Sequence, residues 1–178
     1  MKTILFASIF MLGTSIIASA QTLKSADLQV TGLTCSMCSQ STEKSLETIS
    51  SINTITPDLN KGIFVLEFKK DAPVDFDQIL KKVDEAGFSV GSLNVTMQFD
   101  QVAVDGNGQA IVGNNVYRFQ NLKNTTLNGP VKVSVIDKDF ISKSTYKKNL
   151  AKISSDAYAD GLGLVNGKKT RIYHLTAS

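Results

Sequence analysis

Two cysteines, Cys35 and Cys38, stand three residues apart in the stretch "VTGLTCSMCSQSTEKSL", and they are the whole cysteine content of the 178-residue chain. Paired thiols at this spacing support three chemistries: a disulfide, a thiol–disulfide redox centre, or a site for a thiophilic metal. A disulfide across two intervening residues removes little chain entropy and so stabilises a fold weakly. Chemistry at the sulfurs therefore explains the pair better than structure does. Two thiolates suit a soft cation: Cu(I) accepts two sulfurs in near-linear geometry, whereas Zn(II) wants four ligands, or three and a water. The single histidine, His174, is remote in sequence and sits in a strand pattern, where packing is a better reading than ligation. No carboxylate lies within the loop; Asp27 upstream and Glu43 downstream are the nearest. The ligand count is thus poor for zinc and adequate for Cu(I), with a redox pair as the rival.

The elements around the pair follow from hydrophobic periodicity. Asp27–Thr31 reads as a strand, Gly32 opens a loop, and a helix starts near Cys38 with Thr42, Leu46 and Ile49 on its buried stripe. In the first turn of that helix, free backbone N–H groups and the helix dipole favour thiolate. A strand at 52–57, a turn at Asn60-Lys61-Gly62 and a strand at 63–69 follow. Asp75 caps a second helix with Phe76, Ile79, Leu80 and Val83 inward and Gly87 at its end. Phe88–Phe99 reads as a strand broken near Gly91-Ser92. The order βαββαβ over residues 23–99 is that of a ferredoxin-like sandwich, so the fold class expected is α+β. Residues 100–178 read as a small, mostly β domain. Its turns are "DGNGQ", "GNN" and "NGP", its helix lies near 144–154, Asp160–Gly163 is flexible, and residues 170–176 form a closing strand.

The loop and its neighbours resemble the heavy-metal-associated domain family, found in copper chaperones, in the N-terminal modules of P-type copper ATPases and in the mercuric-ion binding protein. "GLTCSMC" is similar to that family's G-M-T-C-x-x-C signature. "STEKSLETISSINTITPDLNKGIFVLEF" resembles its helix and hairpin, and "ILKKVDEAGFSV" its second helix with the terminal A-G-F, covering about residues 24–98. The resemblance implies that Cys35 and Cys38 are the metal ligands and that Phe88 packs near the metal loop. Leu33 stands where Met is usual, a volume-conserving change. Thr34 replaces the Asp found before the first Cys in zinc-preferring members, which favours Cu(I); Hg(II) or Zn(II) are the alternatives. Met37, between the ligands, is expected to face solvent.

At the N-terminus a short positive segment, an uncharged apolar run (Ile4–Ile17) and Ala18-Ser19-Ala20 have the form of a secretory signal spanning residues 1–20. The run is shorter than the roughly 20 residues that span a bilayer. The expectation is an exported protein, periplasmic or secreted, with no stable membrane insertion after cleavage. The formal charge of +3 falls to +2 without Lys2, close to neutral, which gives no argument for nucleic acid or anionic membrane binding. These readings make the chain a non-enzymatic Cu(I) carrier, delivering to a P-type metal ATPase or another envelope metal protein. A thiol–disulfide oxidoreductase using Cys35 and Cys38, or a metal-sensing adaptor, are the rivals. In an oxidising compartment the two thiols can rest as a disulfide that must be reduced before metal binds.

Overall fold

A computed structural model describes residues 22–70, 75–153 and 155–178 of the chain. Residues 1–20, where the secretory signal is expected, lie outside the described residues. The architecture is mixed α/β around one large sheet. The elements are β1 (Thr22–Thr31), α1 (Ser36–Glu47), β2 (Ile52–Asp58), β3 (Ile63–Phe68), α2 (Phe76–Glu85) and β4 (Ser89–Val104). They continue with β5 (Gln109–Val112), β6 (Asn115–Phe119), β7 (Thr125–Val135), α3 (Lys143–Leu150), α4 (Asp156–Asp160), β8 (Leu162–Val165) and β9 (Lys168–Ala177). The strands run in the order β2-β3-β1-β4-β7-β9-β6-β5, with β8 paired to β9.

β4 joins the two halves of this sheet. Its 16 residues pair antiparallel with β1 along one edge and with β7 along the other. The division expected at residues 99 and 100 falls inside this strand. The break expected near Gly91 is a bulge: Gln29 pairs with Ser92 and Val30 with Val90, leaving Gly91 unopposed. A Cβ at Gly91 would come within 2.9 Å of Thr31 Cγ2, so glycine lets β1 and β4 stay in register past the bulge. A second irregularity separates the Phe99–Gly129 pair from the Val102–Leu127 pair. There Gln101 takes φ +49° and Gly129 φ +85°. The "NGP" run, expected as a turn, therefore lies within β7, where Pro130 is tolerated beside the bulge.

The core is continuous across both halves. Leu46 of α1 and Ile49 just beyond it, Phe76, Ile79 and Val83 of α2, and Val95, Met97 and Phe99 of β4 belong to one buried cluster. So do Phe119, Val133, Tyr173 and Leu175 from the later strands. Thr42, Leu46 and Ile49 bury as their spacing predicts, and Ser39 in the first turn of α1 is buried as well. Asp75 caps α2 by accepting from Gln78 N–H at 3.0 Å, and Gly87 follows the C-cap Ala86 with φ +88°.

α2 is also tied to β9. Asp77 makes two charge-assisted bonds to Arg171, at 2.8 and 2.9 Å. Phe76 meets the Tyr173 ring edge-on at 4.9 Å. The stretch Ile172–Leu175 is buried throughout, because β9 is an inner strand covered on both faces. Tyr173 and Leu175 join the main core, while Ile172 packs with Val116 and Ala157 of α4 in a second cluster. Asp160–Gly163, expected to be flexible, is instead ordered by this packing. Gly161 ends α4 in the left-handed conformation, and β8 starts at Leu162.

Candidate metal-binding loop

The loop between β1 and α1 is held by its neighbours on three sides. Val30 N–H donates to Gly62 O at 3.0 Å across the β2–β3 turn, and Thr31 Oγ1 donates to Ser89 O at 3.1 Å at the start of β4. Gly32 then turns the chain with φ +92°, and a Cβ there would sit 3.5 Å from the Phe88 ring. Leu33 is half-buried against the core and anchors the loop. Phe88, placed by the tight end of α2, closes the base of the loop, as the resemblance implies.

Cys35 is the N-cap of α1, in extended backbone conformation. Its Sγ accepts from Cys38 N–H at 3.2 Å, while its carbonyl accepts from the N–H groups of Cys38 (3.1 Å) and Ser39 (3.3 Å). The sulfur thus occupies the position where an oxygen side chain ordinarily caps a helix. A thiolate there receives an N–H and the positive end of the helix dipole. No acidic residue lies in the first turn of α1 to oppose that charge. The carbonyl of Cys38 accepts from the hydroxyl of the buried Thr42 at 3.1 Å, one turn on. Periodicity alone assigns Thr42 to the core. Its bond to Cys38 was legible only as a hydroxyl four residues after that cysteine, within reach of the i−4 carbonyl.

Cys35 and Cys38 are brought together, with Cα atoms 5.3 Å apart, and are joined as a disulfide. A disulfide holds no thiolate. Two electrons and two protons convert it to two thiols, and a cation binding both sulfurs then displaces the protons. Cys35 is exposed, Cys38 partly so, and Met37 between them is 76% exposed. The sulfurs are thus open to an incoming partner, and Met37 faces solvent. No group of three or more His, Cys, Asp or Glu able to hold a metal occurs among the described residues. The donor set at the loop is therefore two sulfurs.

His174 is remote from this loop in sequence and is packed among other partners. It is fully buried, its Nδ1 lies 2.8 Å from Asp137 Oδ1, and its backbone N–H donates to Asp137 Oδ2 at 2.9 Å. The Tyr158 ring packs edge-on against it at 5.0 Å. Asp137, missed in the sequence, is what allows an imidazole to be buried in an inner strand.

Beside the loop lies a cleft of about 680 Å³. Thr31 and Phe88 line it at the loop end, Leu80 and Lys81 along α2, and Asp139 and Lys143 on the opposite wall. The later half of the chain therefore reaches the metal-loop end of the molecule.

In comparison with known families, residues 27–89 fit the family model described as heavy-metal-associated domain. No curated protein matches the chain.

Proposed function

Taking residues 27–89 as a heavy-metal-associated domain, we propose that the chain is an exported Cu(I) carrier that binds and transfers the ion through Cys35 and Cys38. The observation that carries this reading is the two-sulfur donor set at a helix N-terminus, exposed and without a third ligand nearby. Two thiolates satisfy Cu(I) and leave Zn(II) two ligands short. A two-coordinate ion is also easily passed on, because an incoming thiolate adds before a bound one leaves. The domain so formed is read as a ferredoxin-like βαββαβ sandwich, extended by the strands that follow β4. The recipient is read as a P-type metal ATPase or another envelope metal protein.

The test is a Cu(I) titration of the reduced chain against a competing chelator, beside the Cys35→Ser, Cys38→Ser double variant. One-to-one binding, lost in the variant, is the expected result. Failure of the reduced wild type to compete for the ion overturns the proposal.

The disulfide between Cys35 and Cys38 supports a second reading, a thiol–disulfide oxidoreductase with Cys35 as nucleophile and Cys38 as resolving thiol. In the reduced form the Cys35 thiolate would attack a substrate disulfide to give a mixed disulfide, which Cys38 would displace, releasing the substrate as a dithiol and leaving Cys35 and Cys38 joined. Measured turnover of such a substrate, together with absent Cu(I) binding, would establish it.

A further inference from the structure

The positive charge of the chain is concentrated in one place. Residues 138–153 contain five lysines (Lys138, Lys143, Lys147, Lys148 and Lys152) and one aspartate, a net +4 against +3 for the whole chain. Everything else is therefore net −1. The total charge, close to neutral, conceals this asymmetry.

The structure puts these lysines on and around α3, which buries no residue of its own. All five are exposed, and none forms an ion pair with another described residue. At 100° per residue, Lys143, Lys147, Lys148 and Lys152 fan over about half the helix circumference. One side of α3 is fixed to the body of the protein: the Tyr146 hydroxyl donates toward the carbonyls of Tyr158 and Ala159, at 3.3 and 3.1 Å. The lysine arc is left facing outward, with Leu150 42% exposed at its margin. Like charges so crowded repel one another; the carboxylates Asp77, Asp84 and Asp139 line the cleft that Lys143 borders and pair with none of the five.

We propose that α3 is a docking surface for an anionic lipid bilayer, holding the protein at the membrane face by electrostatic attraction without insertion. The occupant follows from charge complementarity. A fan of lysines over half a helix matches a plane of diffuse negative charge, whereas a single acidic peptide would engage one stripe of it. Clusters of four to eight lysines on an exposed helix bind anionic headgroups, each contributing roughly a fivefold factor in partitioning. No described helix is long and apolar enough to cross a membrane, so the contact is peripheral. Lys143 and Thr31 line the same cleft, so docking through α3 brings the cysteine loop to the membrane side of the molecule. This orientation deepens the carrier reading and rests on it; the lipid contact itself does not.

The test is co-sedimentation of the chain, recovered after export and without added metal, with vesicles of pure phosphatidylcholine or of phosphatidylcholine containing phosphatidylglycerol. The variant Lys147→Gln, Lys148→Gln removes two charges from exposed positions and keeps the fold, which far-UV circular dichroism verifies. Binding to the anionic vesicles alone is expected. It should weaken about 30-fold in the variant and fade as salt shortens the Debye length from about 10 Å at 0.1 M to about 3 Å at 1 M. Absent binding, equal binding to both compositions, or binding unchanged in the variant overturns the proposal. So does binding to polyglutamate with none to vesicles, which would assign the patch to an acidic protein. Because no metal is present, the outcome is independent of whether Cu(I) is the cargo.

Discussion

Replacing Arg171 should cost far more stability than replacing its principal partner, Asp77. The guanidinium bonds to Asp77 through Nε and one terminal nitrogen, lies 3.6 Å from the Asp137 carboxylate, and stacks 4.3 Å over the Tyr173 ring. Burial alone would lower its pKa, but the bonds to Asp77 and the charge of Asp137 outweigh burial and raise it. The two carboxylates differ in setting: the side chain of Asp77 is 45% exposed and that of Asp137 only 4%. Asp77→Asn breaks a solvent-screened pair, a loss of about 1 kcal/mol. Arg171→Met leaves Asp137 buried beside His174 without its cation, a loss of about 3 kcal/mol, with the stacking on Tyr173 lost as well. For a chain of this size that corresponds to roughly 6–12 °C in melting temperature. The double variant should resemble Arg171→Met alone, since both changes remove the same pair. Urea unfolding followed by far-UV circular dichroism and by tyrosine emission measures this; the chain has no tryptophan. Equal losses for the two single variants, or a negligible loss for Arg171→Met, would refute the claim that Arg171 neutralises a buried carboxylate.

Two further outcomes follow from backbone and burial. Gly108→Ala should destabilise by about 2–4 kcal/mol in the same urea assay, because Gly108 has φ +78° and its Cβ would run into the backbone carbonyls of Phe119 and Leu122. Gly113→Ala, with positive φ but open space, should cost only about 1 kcal/mol. Burial raises the pKa of Tyr173 and of Tyr158 above the ordinary 10.0. A raised folded-state pKa gives stability that is complete below the unfolded value and is lost as pH climbs through the folded one. Urea midpoints should therefore fall as pH rises above about 10, and Tyr173→Phe should lessen that fall while changing stability little at neutral pH.

The half of the chain that carries the cysteines was readable because its signals are local. A stripe such as Thr42, Leu46 and Ile49, the cap at Asp75, and the glycine after α2 each occupy a few neighbouring residues, and each forms as its spacing predicts. The errors have physical causes of the opposite kind. Gly91 and the "NGP" run carry the residue types of turns, but cross-strand pairing holds them inside β4 and β7, where they serve bulges. The closing strand read at 170–176 is β9, but its burial on both faces was not legible, because such a strand lacks the alternation of a half-buried one. α4 has only five residues, too few for a helical period to show. The Asp77–Arg171 bond spans 94 positions, and no local pattern encodes it. At the site, the pair Cys35 and Cys38 was plain from spacing, whereas the wall formed by Asp139 and Lys143 required the fold. Summed charge failed for a similar reason: it averages over the very segregation that marks α3.

The continuity of β4 decides how the two halves can be studied. In a free-standing βαββαβ unit the fourth strand is an edge. Here its outer edge is paired with β7 from Asn94 to Val104, and the core residues Met97 and Phe99 are covered from both halves. Cutting the chain at residue 99 would bare that edge, sever β4 within its pairing to β7, and strip Arg171 and Tyr173 from α2. Phe88, which closes the base of the cysteine loop beside Gly32, hangs from the end of that same helix. A change in metal affinity seen in such a fragment would therefore mix loss of ligand chemistry with loss of support beneath the loop. Point substitutions in the whole chain separate the two: those at Cys35 and Cys38 act on the proposed ligands, and those at Arg171 act on the support of α2, with its partner Asp77 94 positions away in sequence. A shared sheet makes the later strands part of the frame that holds the loop, and leaves α3, which buries nothing, as the element free to meet a surface.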